Sequence, residues 1–582
     1  MALGRLHFCG CLFLVCVFVS GLLAYEKRQI HFTHDPTSPP PTGSAGSQDP
    51  LTTWLTRAVT TRPNVLFLIA DDLRPKLGCY GESNMVTPNI DQLASQSVRF
   101  DRAYVQQAVC GPSRASFLTG RRPDTTRVVD LHTYWRTAGG NFTTLPQYFR
   151  EHGYVTQGVG KVFHPGISGG NNDDELYSWS APTYLGVPNM QPENDPKAYH
   201  KSTLQPVNVT ELGDLQDTDV ADFSIDFLRN HSRKSDKPFF LVVGFRKPHL
   251  PWRYPMEYTD LYPLSNIQLA PHRTVPPQMP PIAFSTFGEL RKFEDIIALN
   301  VSMPYGPIPE DYQLKLRQGY SAAVSYTDAE LGRVLAALDQ SGLTNNTVIA
   351  FIGDHGWQLG ENAEWSKHTN FEIAVRIPFT IYIPGVTSSN HRFHFIDPLT
   401  VPAGIGQAAD RISNATHSHS DALVEAVDLF ATLTELSGLP VPKTCPTQSR
   451  HVPVCTEGTS LLPVIRHVQS SGSSPEQPMQ WKKAAFSQFH RNLDTNLPVM
   501  GYTVRTDQHR YTEWVAFDKV QFRGNFSHVV ARELYVEDSD PDEFHNVAEV
   551  TSYSSTVESL SQLLRAGWEA TLQNYLVSSG RK

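Results

Sequence analysis

The chain has 582 residues, 40% hydrophobic and 18% charged, with 43 prolines. This length exceeds what one hydrophobic core usually organises and the balance is that of a folded protein, so a large unit plus a smaller one is expected and wholesale disorder is excluded. A formal net charge of -9 excludes the broad basic face of a nucleic-acid binder, so an anionic ligand has to be met by local positive charge in a pocket.

From the N-terminus, Arg5 precedes an apolar run from Phe8 to Ala24, followed at once by Glu26, Lys27 and Arg28. This is the pattern of a secretory signal peptide over residues 1–24; the other reading, a membrane anchor, sits near the lower length limit for crossing a bilayer. No other segment is long and apolar enough to cross, so no membrane association is expected after cleavage. Residues 25–61 read as a propeptide or flexible linker, because the Pro-, Ser- and Gly-rich stretch 35–50 offers nothing to bury. Residues 62–466 are then expected as the catalytic unit. A soft stretch from Gln469 to Pro478 marks the division, and residues 467–582 are expected as a smaller α+β subdomain.

Seven Asn-x-Ser/Thr sites (Asn141, Asn208, Asn230, Asn300, Asn345, Asn414 and Asn525) agree with a secretory route and glycosylation. Of the seven cysteines, Cys9, Cys11 and Cys16 leave with the signal. Cys445 and Cys455 are expected to form a disulfide, since the compartment is oxidising and the loop short. Cys79 reads as a buried free thiol; pairing it with Cys110 is the alternative, and the surroundings of Cys110 argue against it.

Within the large unit, short apolar runs alternate with helical patterns, which predicts an α/β architecture with a mostly parallel sheet flanked by helices. Strands are expected at Asn64–Ala70, Tyr154–Val159, Phe239–Phe245 and Thr347–Ile352. Tyr320, Val324, Thr327, Leu331, Val334, Leu335 and Leu338 share one face of a helix before the last strand. Each strand runs into polar residues: Asp71-Asp72, then Lys161 and His164, then Arg246-Lys247-Pro248-His249, then Asp354-His355-Gly356. Ligands of open α/β sheets bind at the carboxyl ends of the strands, so these distant clusters can converge on one edge.

Asp71, Asp72 and Asp354 are hard oxygen ligands suited to Ca²⁺ or Mg²⁺, and gathering three without a cation is electrostatically costly. Either group alone reads equally well as a cap on the next element. His355 is a ligand or the neighbour of one; imidazole alone leans toward Zn²⁺, and three oxygen donors tip the balance to Ca²⁺. In Cys110-Gly-Pro-Ser-Arg114, Pro112 suits the first turn of a helix and Gly120 its stop, which puts Cys110 at the helix N-terminus, where free N–H groups favour an anion. Arg114 adds a fork of donors matched to sulfate or phosphate. A buried inert cysteine is the other reading, and it leaves the Pro-Ser-Arg unexplained.

This segment resembles the C-x-P-S-R signature of the type I sulfatases, an alkaline-phosphatase-like family whose cysteine is oxidised to formylglycine (3-oxoalanine) by the formylglycine-generating enzyme of the endoplasmic reticulum. The resemblance runs through most of the chain from Asn64. Longer runs are similar to the branch of that family acting on the 2-O-sulfate of terminal iduronate in heparan and dermatan sulfate. They are Asp71-Asp-Leu-Arg-Pro, Leu77-Gly-Cys-Tyr-Gly81, Gln106-Gln-Ala-Val-Cys110, Thr119-Gly-Arg-Arg-Pro-Asp-Thr-Thr-Arg127, Gly160-Lys-Val-Phe-His-Pro-Gly-Ile167, Met303-Pro-Tyr-Gly-Pro-Ile-Pro309 and Asp538-Ser-Asp-Pro541.

The resemblance implies one Ca²⁺ held by Asp71, Asp72, Asp354, His355 and the modified Cys110. His355 stands where most sulfatases carry Asn, which narrows the resemblance to the iduronate branch. Arg114, Lys161 and His164 match positions around the aldehyde hydrate. His249 and Lys367 match those that hold sulfate and assist the leaving oxygen, and Arg376 with Pro378 follows the general family pattern. In the implied mechanism one hydroxyl of the hydrate attacks sulfur, His249 or Lys367 protonates the sugar oxygen, and His164 deprotonates the second hydroxyl to expel sulfate. A uronate sulfate carries two anionic groups on one ring, and Lys161, Lys247 and Lys367 are candidates to meet them. The implied partners are a sulfated glycosaminoglycan and the formylglycine-generating enzyme, and the implied destination is the lysosome. The stretch from Asn171 to Gln205 departs from the branch: no cysteine pair lies between Lys161 and Asn300, where the branch carries a second disulfide.

Other readings stay beside this one. Another glycan or aryl sulfatase shares the chemistry. A phosphodiesterase or phosphonate hydrolase of the alkaline phosphatase superfamily shares the sheet but mostly uses Thr or Ser as nucleophile. A glycan-binding protein that kept the fold has no need of a complete set of acid, base, metal and nucleophile candidates.

Overall fold

The computed structural model describes residues 49–186, 199–213, 215–401, 418–470 and 479–579. The expected signal segment and Asn414 lie outside the described residues. The expectation of a linker up to residue 61 fails from Pro50 onward, where helix α1 (Pro50–Thr61) begins. Asp49 caps it by accepting the N–H groups of Leu51 and Thr52, and Pro50 suits its first turn. Leu51, Trp54 and Ala58, spaced along one face, are buried, and Trp54 Nε1 donates to the Leu436 carbonyl at 3.0 Å. The proline-rich composition ends just where this apolar stripe starts.

The central elements follow as β1 (Asn64–Ala70), β2 (Val98–Tyr104), α2 (Cys110–Thr119), β3 (Val155–Gly160), α3 (Gln216–Lys234), β4 (Phe239–Phe245), α4 (Glu310–Gln340), β5 (Thr347–Gly353), β6 (Arg376–Ile377), β7 (Phe379–Tyr382) and β8 (His419–Glu425). Among the described residues they form an eight-stranded sheet in the order β6-β2-β7-β5-β1-β4-β3, with β8 also paired to β2. β5, β1, β4 and β3 are mutually parallel. β7 runs antiparallel between β5 and β2, and β8 is parallel to β2. This is the mostly parallel α/β sheet flanked by helices expected from the sequence.

All seven residues of β1, β4 and β5 are buried, which explains why these strands read as unbroken apolar runs. Alternation divides them between two cores. Leu66, Leu68, Leu241, Val243, Ile349 and Phe351 face one layer, with Tyr320, Val324 and Leu331 of α4. Val65, Phe67, Ile69, Phe240, Val242, Val348 and Ala350 face the other, with Leu51 and Trp54 of α1 and Phe117 of α2. Each such side chain stabilises the fold by roughly 1.5–3 kcal/mol relative to exposure, so the positions of the strand ends are firmly held.

Helices α5 (Leu429–Leu436) and α6 (Leu462–Ser470) cover the same side as α1. α6 runs through the boundary expected at residue 467, because Val464 and Ile465 are buried against the large core. Strands β9 (Ala485–Arg491), β10 (Val499–Arg505), β11 (His509–Asp518) and β12 (Arg523–Val536) form an antiparallel meander. Helix α7 (Ser554–Ser578) packs on it through Leu560 and Leu564. This smaller sheet is tied to the segment that leads into α2, since Gln488 N–H donates to the Gln106 carbonyl at 2.8 Å and Ser487 Oγ to that of Val105 at 2.6 Å.

Cys445 and Cys455 are joined in a disulfide, and Cys79 and Cys110 are buried free cysteines. Asn141, Asn230, Asn300, Asn345 and Asn525 are exposed; Asn208 is half-buried and its side chain accepts the Thr210 N–H.

Candidate active site

The parallel strands deliver their following residues to one edge. Asp71 N–H donates to the Phe245 carbonyl at 3.2 Å and Asp354 N–H to that of Ala70 at 3.0 Å, so the ladder persists one residue past the strands. Asp72 then turns into the left-handed region at φ 61°. Beside it, Lys161 N–H donates to the Gly244 carbonyl at 2.8 Å. A Cβ on Gly244 would lie 1.9 Å from the Lys161 carbonyl oxygen, so only glycine lets the end of β4 pass this close to Lys161.

Cys110 opens α2 and is buried. Its Sγ lies 3.3 Å from Asp71 Oδ1, 3.2 Å from His355 Nε2 and 3.5 Å from Lys367 Nζ. Ligand atoms of Asp71, Cys110, Asp354 and His355 all fall within 4.8 Å of one another, as do those of Asp72, Cys110 and His249. Lys161 pairs with Asp71, and Lys367 Nζ with Asp72 Oδ1 at 2.7 Å. His355 Nε2 is 3.4 Å from Asp72 and 3.6 Å from Asp354.

Three expected site residues take positions that sequence did not suggest. The Arg114 fork does not point at an open pocket. It is fully buried, with Nε on Asp354 at 2.8 Å, Nη1 on the Lys161 and Val162 carbonyls, and Nη2 3.8 Å from Asp71; it braces the carboxylates from behind. Lys247 donates to the His249 and Pro251 carbonyls, both at 2.7 Å, and so secures the loop that presents His249. His164 is half-buried with Nδ1 on the Pro165 carbonyl at 2.8 Å; the contacts gathered at Cys110 come from Asp71, His355 and Lys367. Arg376 Nε donates to the Asp101 carbonyl at 2.8 Å, joining β6 to β2.

Burial, then Asp71, pushes the Cys110 thiol up to about 12. Burial also works against a charged Asp71, but Lys161, His249, Arg114 and Lys367 outweigh it and hold that carboxyl well below the ordinary range. Asp72 goes the other way: burial, reinforced by Asp71 and opposed by Lys367, raises it well above. Its Oδ2 is buried with no hydrogen-bond partner among the described residues. Such an orphaned oxygen costs about 1–3 kcal/mol, more when charged. Asp71, Asp354 and His355 gathered at Cys110, with Asp72 beside His355, make a donor set that suits a divalent cation, which would favour the ionised form of Asp72.

Glu289 was not anticipated. Its Oε1 lies 3.4 Å from Lys367 Nζ and 3.6 Å from His249 Nε2. It follows no strand and belongs to no motif, so nothing in its sequence surroundings marks it.

A buried residue at a helix N-terminus is ringed by carboxylates and cations at the carboxyl edge of this sheet, the arrangement of an enzyme of the sulfatase fold. The chain belongs to the sulfatase family: the family model described as Sulfatase matches residues 63–439. It is 46% identical over 531 residues to iduronate 2-sulfatase of Mus musculus, covering 86% of this chain and 94% of that relative. To iduronate 2-sulfatase of Homo sapiens it is 46% identical over 517 residues, covering 84% and 92%. The fold alone does not choose between reaction classes. The phosphonate monoester hydrolase of Agrobacterium radiobacter matches with a TM-score of 0.59 at 21% identity, over 88% of this chain and 96% of that one. Family membership makes the chain a sulfuric ester hydrolase, of a family known for a formylglycine and a bound metal.

Proposed function

We propose that this chain removes the 2-O-sulfate from terminal iduronate of heparan and dermatan sulfate, with formylglycine at position 110 as nucleophile and one Ca²⁺ held by Asp71, Asp72, Asp354, His355 and residue 110. The observation that carries it is the cluster at Cys110, with His355 3.2 Å from Sγ, in a chain so similar along its length to iduronate 2-sulfatases. Without a bound metal ion, burial and Asp71 keep an unmodified thiol at this position protonated and so a weak nucleophile. Calcium, when bound, supplies positive charge against the sulfuryl oxygens and raises the acidity of a neighbouring hydroxyl.

The chain's own groups divide the remaining work. Lys161 and Lys367 offset negative charge as it spreads over the sulfuryl group. His249 donates Nδ1–H to the Leu250 carbonyl, so Nε2 is the nitrogen left to serve the leaving oxygen. Burial and Lys367 hold its imidazole well below the usual range in the free protein, and an arriving sulfate favours its protonated form. Burial, then Lys161, lowers His164 to about 3, so it is neutral but a weak base, and its role in expelling sulfate rests on the family resemblance. Arg114 keeps Asp354 and Asp71 in place.

Cys110 is only 1% exposed, so the formylglycine-generating enzyme would have to meet this segment before the domain closes. Glycosylation at the Asn-x-Ser/Thr sites and delivery to the lysosome belong to the same reading. No helix among the described residues is long and apolar enough to cross a membrane.

The test offers protein from a secretory host a 2-sulfated iduronate disaccharide, a 6-sulfated glucosamine and an aryl sulfate. A strong preference for the first is expected; preference for either other substrate sinks the iduronate assignment while leaving the sulfatase. Mass spectrometry of the peptide around Gly111 to Arg114 should find formylglycine at position 110. Full activity with only a thiol there would refute the nucleophile.

A further inference from the structure

Glu289 has no part in the mechanism above, yet it touches both groups on the leaving-oxygen side. Its side chain is 19% exposed, and its Oε2 is buried without a hydrogen-bond partner among the described residues. A carboxylate withdrawn from water with one oxygen unanswered is costly. Glu361 shows how a structural glutamate is held in this fold: it accepts from Arg74, Arg317 and the Leu359 N–H. Glu289 has instead, through Oε1, the two site groups Lys367 and His249.

Those contacts have a directional consequence. An ammonium has three donors. The near neighbours of Lys367 Nζ are Asp72 at 2.7 Å, Cys110 Sγ at 3.5 Å and Glu289 at 3.4 Å. Asp72 already holds the ammonium in a hydrogen bond, and Glu289 is the second carboxylate within ion-pair reach of it, shared with His249. His249 has its Nδ1–H engaged by Leu250, so Nε2 alone faces the site, and Glu289 is the carboxylate beside it.

We infer that Glu289 is a positioning residue for the leaving-group step, holding Lys367 Nζ and His249 Nε2 where the ester oxygen departs. In that step sulfur bonds to the oxygen carried by residue 110 while its bond to the sugar oxygen breaks. The sugar oxygen keeps the electron pair and takes a proton from one of the two donors. A sugar alkoxide needs that proton to leave; a nitrophenolate does not. The inference rests on the sulfatase reading of the site, and the substrates below separate the two.

The experiment uses the full-length glycoprotein with Glu289→Gln or Glu289→Asp, rates being corrected for measured formylglycine content. Substrates are the 2-sulfated iduronate disaccharide and 4-nitrophenyl sulfate. Glu289→Gln should lower kcat on the disaccharide about 10- to 100-fold with KM within about threefold, and change the aryl sulfate rate by less than about threefold. Glu289→Asp should recover part of the loss. Equal losses on both substrates, no loss on the disaccharide, or a change confined to KM overturns the inference. If the Gln variant does not fold, the Asp variant carries the same comparison between leaving groups. If the unaltered enzyme instead cleaves another sugar sulfate, the iduronate reading falls, and Glu289 is judged on that sugar ester against the aryl sulfate.

Discussion

Two buried charge clusters in this protein are built from the same ingredients and end differently. In the first, Glu425 and Asp428 at the end of β8 meet Arg122 and Lys482. Arg122 is bidentate on Glu425 at 2.7 and 2.8 Å. Lys482 Nζ reaches Glu425 at 2.8 Å and both oxygens of Asp428 at 2.9 and 2.8 Å, and the N–H groups of Phe486, Glu425 and Thr459 supply further donors. Every carboxylate oxygen is answered. In the second, Asp71, Asp72 and Asp354 also have cations beside them, but Asp72 Oδ2 has no hydrogen-bond partner among the described residues. The closed cluster joins the small sheet to the large one; the open one is where the proposed cation would be held.

The comparison is most easily broken at the open cluster. Cys110→Ala should abolish turnover, by at least about 10³-fold, because no other group can take the covalent role. Its melting temperature should change little, since the side chain is small. Residual turnover near the original would show that the cluster does not work through position 110.

Next in size, Asp71→Asn or Asp354→Asn should lower metal content and rate together, by at least about 100-fold in rate. Metal analysis of the unaltered protein should find calcium. Stoichiometric zinc with little calcium would mean that His355 outweighs the oxygen donors.

The closed cluster should respond in stability alone. Glu425→Gln leaves Arg122 and Lys482 facing a neutral amide and should cost about 3–5 kcal/mol, as breaking buried pairs does, visible as an earlier denaturation midpoint. The rate per folded, formylglycine-bearing molecule should be unchanged; a parallel fall in that rate would merge the two clusters into one functional unit.

The smallest effect is that of pH. Burial pushes Asp328 and Glu364 up to about 8. A carboxyl whose folded pKa is raised contributes stability that is fully present below the ordinary carboxylate range and is lost as pH climbs through about 8. Glu425, against the cost of burial, is held at about 2 by Arg122 and Lys482, and its contribution is lost only as pH falls toward that value. The melting temperature should therefore be higher at pH 5 than at pH 8, and Glu364→Gln should narrow the gap by a few degrees. A protein more stable at pH 8 would count against the burial argument.

Much of this molecule is legible in its sequence. Asn64–Ala70, Phe239–Phe245 and the strand from Thr347 announce themselves because strands buried on both faces must be continuously apolar. The residues after them could be read as a site because parallel strands deliver their carboxyl ends to one edge. Cys110 was placed at a helix start by Pro112 and Gly120, and α2 spans Cys110–Thr119 with Gly120 in the left-handed region.

What the sequence by itself determined is therefore what lies on periodicity and motif: the strands, the helix carrying Cys110, and the residue types gathered beyond the strand ends. Tertiary structure alone decided which atoms face which. It turned Arg114 toward Asp354 and Asp71, set Lys247 on its own loop, and brought Glu289 to Lys367 across 78 positions of chain. It also docked α1 through Trp54, which composition had assigned to a linker. The physical reason is common to all four: a side chain's partners depend on packing between elements distant in sequence, and neither local composition nor spacing records that distance.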